Sequence, residues 1–171
     1  MKTEAARAAK LIKTELKIGG QVLPKLSVKS STYSGGDSIN VNWVDGTHVK
    51  EIEAIIGKYQ YGNFNGQEDI YEYTNSQNHP QAKYIFAQRD VSYEFAVKIA
   101  EYYNKVYGGS ITIESKGLSW DGRFERWGAS GESSDFDAGQ TISKLASWFN
   151  FVNGDIYEAT SGKHSINYYC R

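Results

Sequence analysis

The residues able to do chemistry are few and far apart. His48, His79 and His164 are scattered, and none has a second ligand at helical or hairpin spacing, so a zinc site would require unrelated segments to converge. The single cysteine, Cys170, can form neither a thiolate cluster nor an intramolecular disulfide. Glu68 and Asp69 are adjacent in a polar stretch. Neighbours in sequence have no defined acid/base roles, and the pair fits a cation, a binding partner's arginine or plain solvent. The GxSxG, P-loop and HExxH patterns are absent. Arg89, Arg123, Glu125 and Asp137 could form a site only by convergence of distant segments, which no spacing supports. The expectation is a protein with no catalytic set, no metal and no cofactor, which works by binding.

Two segments have the composition of contact surfaces. In KYQYGNFNGQEDIYEY, Lys58 to Tyr73, aromatic rings alternate with Asn, Gln and Gly, giving large contact area at low entropy cost together with adaptable hydrogen bonding. Its candidates are Tyr61, Asn63, Phe64, Asn65, Glu68 and Asp69. The competing reading places half of the aromatics in the core and uses Asn63, Asn65 and Gly66 for turns. The second segment, LSWDGRFERWGASGESSDFDAG, sets Arg123, Arg126 and Trp127 close to Glu132 and Asp135. Trp and Arg are frequent interface hot spots. Alternatively, Trp120 and Trp127 are strand residues tucked against the core. A stretch this long without periodicity is either a twisted hairpin or a functional loop.

Composition limits the partners. The chain has 171 residues, 40% of them hydrophobic, enough for one well-buried core. Its net charge of -1 provides no global field that would recruit nucleic acid. The first thirty residues are locally basic, with Lys2, Arg7, Lys10, Lys13, Lys17, Lys25 and Lys29 against Glu4 and Glu15. A signal peptide's apolar core is absent, and no run of about 18 apolar residues could span a bilayer. These features predict a cytoplasmic protein that does not engage membranes.

The elements that must carry these residues follow from periodicity. Ala5, Ala8, Ala9, Ile12 and Leu16 form the stripe of a helix over Thr3 to Lys17, capped by Thr3 and ended by Gly19-Gly20. Leu26 to Ser31 and Ser38 to Trp43 alternate around an SGGD turn as a hairpin with Asn40 and Asn42 on a polar face. Asp45-Gly46 ends it, and Thr47 is a plausible cap for a helix carrying Val49, Ile52, Ile55, Ile56 and Tyr59. The order then recurs: strands at Ile70 to Thr74 and Lys83 to Gln88, then a helix from Asp90 or Ser92 with Val91, Phe95, Ile99, Tyr102, Tyr103 and Val106 inward. The expected fold is α+β: an antiparallel sheet of two ββα-like units with helices mainly on one face. Residues 1–110 would form this core, with 111–171 as a C-terminal extension packed on it. That extension includes a strand from Ile111 to Ser115, a helix capped by Asp137, and strand-like DIYEA and SINYY.

The blocks YSGGDSINVNWVDG, FNGQEDIYEY and KYIFAQRDVSYE, with the helix after the first, resemble a large polyvalent protein associated domain, number twenty-nine of that series, over roughly Thr3 to Gly109. The resemblance implies an α+β domain without an established activity, from phages and conjugative elements. Its setting is proteins that travel with incoming mobile DNA, many thought to blunt host defences. Residues after Gly109 have no counterpart in it. The resulting expectation is a non-enzymatic binder of a host protein, such as an inhibitor of restriction or CRISPR. The alternative is a nucleic-acid-binding accessory protein that uses the basic first helix with Lys25 and Lys29.

Overall fold

The first helix, α1 (Glu4–Ile18), starts where extended Thr3 accepts the Ala6 N–H on its hydroxyl, 3.2 Å away. Glu4 lies in the positive first turn, Lys17 in the last, and the Gly19 N–H closes the helix on the Glu15 carbonyl. Ala5, Ala8, Ile12 and Leu16 are buried, and the small residues let α1 lie close across β1 (Ser27–Tyr33). Burial of Ile12 and Leu16 contributes about 1.5–3 kcal/mol each. The computed structural model describes residues 3–65, 70–73, 77–131 and 137–158.

Strand β1 pairs antiparallel with β2 (Gly36–Val44), Lys29 opposite Asn40 and Tyr33 opposite Gly36. Gly36 has φ of +142°, a conformation that other residues rarely adopt, so the turn favours glycine; a Cβ there would meet only the flexible Lys83 side chain, at 2.7 Å. Ile39, Val41 and Trp43 are fully buried while Asn40 is exposed, the alternation expected of a sheet covered on one side. The third strand of this sheet is β5 (Tyr84–Asp90), next to β2. Lys83 N–H reaches the Asp37 carboxylate at the start of the two strands, and Asp45 N–H reaches the Asp90 carbonyl at their end. Strands tied in this sense run parallel.

The fold is α+β, as the patterns imply, with a difference in pairing. Residues 70–73 form β4 (Ile70–Tyr73), which pairs with β3 (Gly62–Asn65) as a separate two-stranded ribbon rather than with β5. Closing the four-residue gap between Asn65 and Ile70 costs less entropy than closing the longer one from Tyr73 to Tyr84. The second helix, α2 (Val49–Ile56), continues as a 3-10 turn, Gly57–Tyr59. Thr47 does not cap it. Its hydroxyl accepts the Val22 N–H at 2.9 Å, and the His48 ring takes the capping role, Nδ1 accepting the Lys50 N–H at 3.1 Å.

The chain forms two compact units. One comprises Met1–Gln21, Leu26–Trp43 and Ile52–Gln88; the other comprises Val22–Lys25, Val44–Glu51 and Arg89–Arg171. In the first, Tyr59 is buried and donates to Glu15 at 2.8 Å, while Lys58 pairs with the same carboxylate at 2.5 Å. The bond from Lys58 holds the pKa of Glu15 below the usual carboxylate range, and burial pushes that of the Tyr59 phenol up to about 12.

The second unit contains α3 (Tyr93–Tyr107), the hairpin β6 (Thr112–Leu118) with β7 (Glu125–Ser130), α4 (Ala138–Ala146), and the hairpin β8 (Phe149–Val152) with β9 (Asp155–Glu158). Ser92 and Asp137 cap the two helices through their side chains. Its core gathers Phe95, Ile99, Tyr103, Ile142 and Leu145 with Phe149 and Phe151; Phe95 and Phe151 stack at 4.8 Å. Val106, read as inward, is instead exposed. SINYY lies outside the described residues.

Candidate functional site

The second candidate segment folds as the tip of the β6–β7 hairpin. The strands pair from Thr112 with Ser130 to Ser115 with Trp127, then shift register so that Leu118 faces Glu125. Gly117, at φ +73°, sits within that irregularity and takes a left-handed conformation that other residues resist. Residues 119–124 close the tip as a braced turn. Buried Ser119 donates its hydroxyl to Asp121 at 2.7 Å and accepts the N–H groups of Arg123 and Phe124 at 2.9 and 3.2 Å. Its backbone N–H reaches the Phe124 carbonyl at 2.8 Å, and Gly122 N–H returns to the Ser119 carbonyl at 2.9 Å. The Ser119 bond and the nearby Arg123 charge hold the Asp121 carboxyl below its ordinary range.

Arg123 fastens this turn to the unit. Its guanidinium donates to the Lys25 carbonyl at 3.1 Å and lies 3.6 Å from Asp90 and 3.8 Å from Asp121. Trp127 is half-buried against the core and donates its indole N–H to the Val91 carbonyl at 3.0 Å. Both residues serve the hairpin's own framework. Arg126 is exposed and donates to the Lys116 carbonyl at 3.2 Å. The ring presented outward is Trp120, 97% exposed, with Leu118 beside the turn at 66%. An indole with almost its whole surface in water is costly, since aromatic rings bring large apolar area. Here it is held on a turn with little freedom left to lose.

The other candidates are distributed differently. Asn63, Phe64 and Asn65 lie in β3 opposite Glu72, Tyr71 and Ile70. Tyr61 is half-buried, its backbone N–H bonded to the Ala82 carbonyl at 3.1 Å. Glu68, Asp69, Glu132 and Asp135 lie outside the described residues. The structure thus brings Arg123, Arg126 and Trp127 into one hairpin, while Tyr61, Asn63, Phe64 and Asn65 belong to another part of the chain. Trp127 is half-buried against the core, but the alternative reading that tucks Trp120 there as a strand residue fails, because Trp120 lies in the exposed turn. The Asp121-Gly122 pair beside it was the available turn signal.

Two polar side chains, half-buried Arg89 and buried His48, hold up the second unit. Arg89 donates to the carbonyls of Ala146, Phe149 and Gly46, the last two at 2.7 and 3.3 Å, and its guanidinium lies 5.3 Å from the centre of the Phe95 ring. Burial pulls its pKa down to about 10. His48 bonds the Ser147 carbonyl through Nε2 while Nδ1 accepts the Lys50 N–H, which fixes the Nε2–H tautomer. Burial also lowers its pKa, favouring the neutral ring. The backbone N–H of His48 donates to Asn150, whose amide in turn reaches Glu51 at 3.2 Å. Both side chains are committed to main-chain groups at the end of α4. Among the described residues, no three His, Cys, Asp or Glu side chains gather as a metal site, and no helix is long and apolar enough to cross a membrane.

The chain belongs to the family of large polyvalent protein associated domain 29, which matches residues 3–94. Domains of this kind are typical of the polyvalent proteins of phages and mobile elements. No curated protein and no solved structure matches the chain. The match covers the β1–β2–β5 sheet and ends just inside α3, so the hairpin that presents Trp120 lies beyond it.

Proposed function

We propose that this chain is a non-enzymatic binding module of a mobile element that engages a host protein through the tip of its β6–β7 hairpin. The observation that carries the reading is Trp120, almost fully exposed on a turn braced by Ser119, Asp121 and Arg123. Pre-ordering lowers the entropy cost of association, and a Trp entering a pocket on a partner is the commonest kind of hot spot. Leu118 and Arg126 would supply the apolar and cationic flanks of that contact. The family's setting in phages and mobile elements supports a host target, and inhibition of a defence system such as restriction or CRISPR is the outcome that fits proteins arriving with foreign DNA.

The test compares the wild-type chain with Trp120→Ala. Because nothing in the fold rests on the exposed ring, the variant should keep its thermal midpoint. Binding to a host protein captured from a bacterial lysate should weaken by about 2 kcal/mol or more. Plasmid or phage entry into a defended strain should rise on expression of the wild type and not of the variant. Equal capture by both chains, or entry unaffected by either, would overturn the proposal.

A further inference from the structure

The face of the β1–β2–β5 sheet opposite Ile39, Val41 and Trp43 carries a second surface, in a different part of the chain from Trp120. Counting along β2 and β5 from the Asp37–Lys83 contact places Phe86 beside Asn40 and Gln88 beside Asn42. Across β2, Lys29 faces Asn40. Phe86 is 54% exposed and Tyr33 47%, large values for aromatic rings on a sheet. Tyr84 and Phe86 lie nearly parallel, 16° apart, with ring centres 6.2 Å from each other. The Lys83 ammonium sits 5.4 Å from the centre of the Tyr84 ring and donates to the Gly35 carbonyl.

We infer that this face is a stacking platform for a single-stranded nucleic acid. Aromatic rings on alternate residues of a strand present flat π-surfaces that any base can cover. Their 6.2 Å separation is close to twice the ~3.4 Å rise per nucleotide of a stacked strand, so the rings are spaced for two bases of an extended one. Asn40, Asn42 and Gln88 offer amides that both donate and accept, as base edges require. Charge agrees locally although the whole chain is near neutral. The only carboxylates within the three strands are Asp37, which accepts the Lys83 N–H, and Asp90, which lies 3.6 Å from Arg123. Lys29 and Lys83 are the cations beside the aromatic rings. On this face the one aliphatic side chain is Val44 at the end of β2, which is buried, so the exposed part is aromatic, amide and cationic rather than aliphatic like the centre of a protein interface. A duplex keeps its bases stacked on one another and leaves such rings without a partner.

The experiment is fluorescence anisotropy of labelled twelve-nucleotide oligo-dT, oligo-dA and oligo-U, with a twelve-base-pair duplex as control, titrated with the full chain at low and physiological salt. Single strands should bind and the duplex should not. With two phosphates neutralised, the logarithmic salt slope should be about -1.4. Phe86→Ala should weaken single-strand binding by about 5- to 150-fold, the loss expected from one stacked base. Lys29→Glu should weaken it and flatten the salt dependence, and Trp120→Ala should leave it unchanged. If Phe86→Ala shifts the thermal midpoint, Phe86→Tyr, which keeps a stacking ring, should bind like the wild type. Absence of single-strand binding at low salt, full affinity in Phe86→Ala, or a duplex bound as tightly as a single strand would each overturn the inference. So would a role for Phe86 in protein capture alone.

Discussion

Arg89 is the side chain whose loss the second unit should feel most. It supplies donors to three carbonyls, those of Ala146, of Phe149 at 2.7 Å and of Gly46 at 3.3 Å. Ala146 is the last residue of α4, whose final carbonyls have no intrahelical donor and carry the negative end of the helix dipole. Replacing Arg89 with alanine strips the donor from two buried acceptors at about 1–3 kcal/mol each, with a further ~1 kcal/mol from the contact with the Phe95 ring. Part of this is offset because burial disfavours the charged guanidinium, whose pKa it pulls down to about 10. The expected net loss is about 3–5 kcal/mol, a large share of the ~5–15 kcal/mol that holds an ordinary domain together. Arg89→Lys should lose less, about 2 kcal/mol, since one ammonium can meet some of these carbonyls but not with a rigid fork. In urea, monitored by circular dichroism, the alanine variant should unfold about 2 M earlier for a slope near 2 kcal/mol/M. A shift under about 0.5 M with an unchanged slope would refute the idea that Arg89 holds the α4 terminus.

His48 gives stability a pH dependence. Its pKa in the folded chain is lowered, so the unfolded chain binds the proton more readily; stability is complete above about pH 6.5 and falls as pH drops, by at most ~1.4 kcal/mol per pH unit. Urea midpoints measured from pH 7.5 to 5.5 should show this decline, and His48→Gln should remove it. Asp45, whose carboxyl is raised by burial, acts in the opposite sense nearer pH 4, where the folded form holds its proton more firmly than the unfolded one. Gly46→Ala should cost about 3 kcal/mol or more, because φ is +66° and the added Cβ would lie 2.0 Å from the Val22 carbonyl oxygen; a thermal midpoint within a few degrees of wild type would contradict this.

Much of the fold is written locally. Thr3, Ser92 and Asp137 cap their helices as their side chains suggest, and the YSGGD turn sets the β1–β2 register with Asn40 outward. What periodicity cannot carry is pairing between distant segments. Nothing local distinguishes a β5 that pairs with β4 from one that lies parallel to β2, because the choice depends on loop closure and on the bonds at Asp37 and Asp45. Thr47 looked like a cap because hydroxyls usually are; a long-range bond from Val22 claims it, and His48 takes its place. The Asn153-Gly154 turn, with both φ values positive, was a strong hairpin signal that the sequence reading passed over. In the candidate site, Arg123, Arg126 and Trp127 were visible by type. Their orientations were not, since a hairpin's register decides which residue faces the core and which the solvent.

The two proposed surfaces differ in how they relate to the family. The aromatic and amide residues of the β1–β2–β5 face fall inside the matched residues 3–94, where Asn40, Asn42, Lys29 and Phe86 sit on the hairpin and strand that define the domain. The tip that carries Trp120 does not. A polar strand face that must keep three strands paired is constrained by the sheet itself, whereas a turn outside the sheet tolerates replacement as long as its closing bonds remain. Ser119 makes those bonds with hydroxyl and backbone groups, so the turn is fixed by Ser119, Asp121 and Arg123 and leaves position 120 with no structural duty. A position that is rigidly held yet unburdened by packing is where a chain can change its partner without changing its fold. On this reasoning the sheet face belongs to the domain and the tryptophan to this protein.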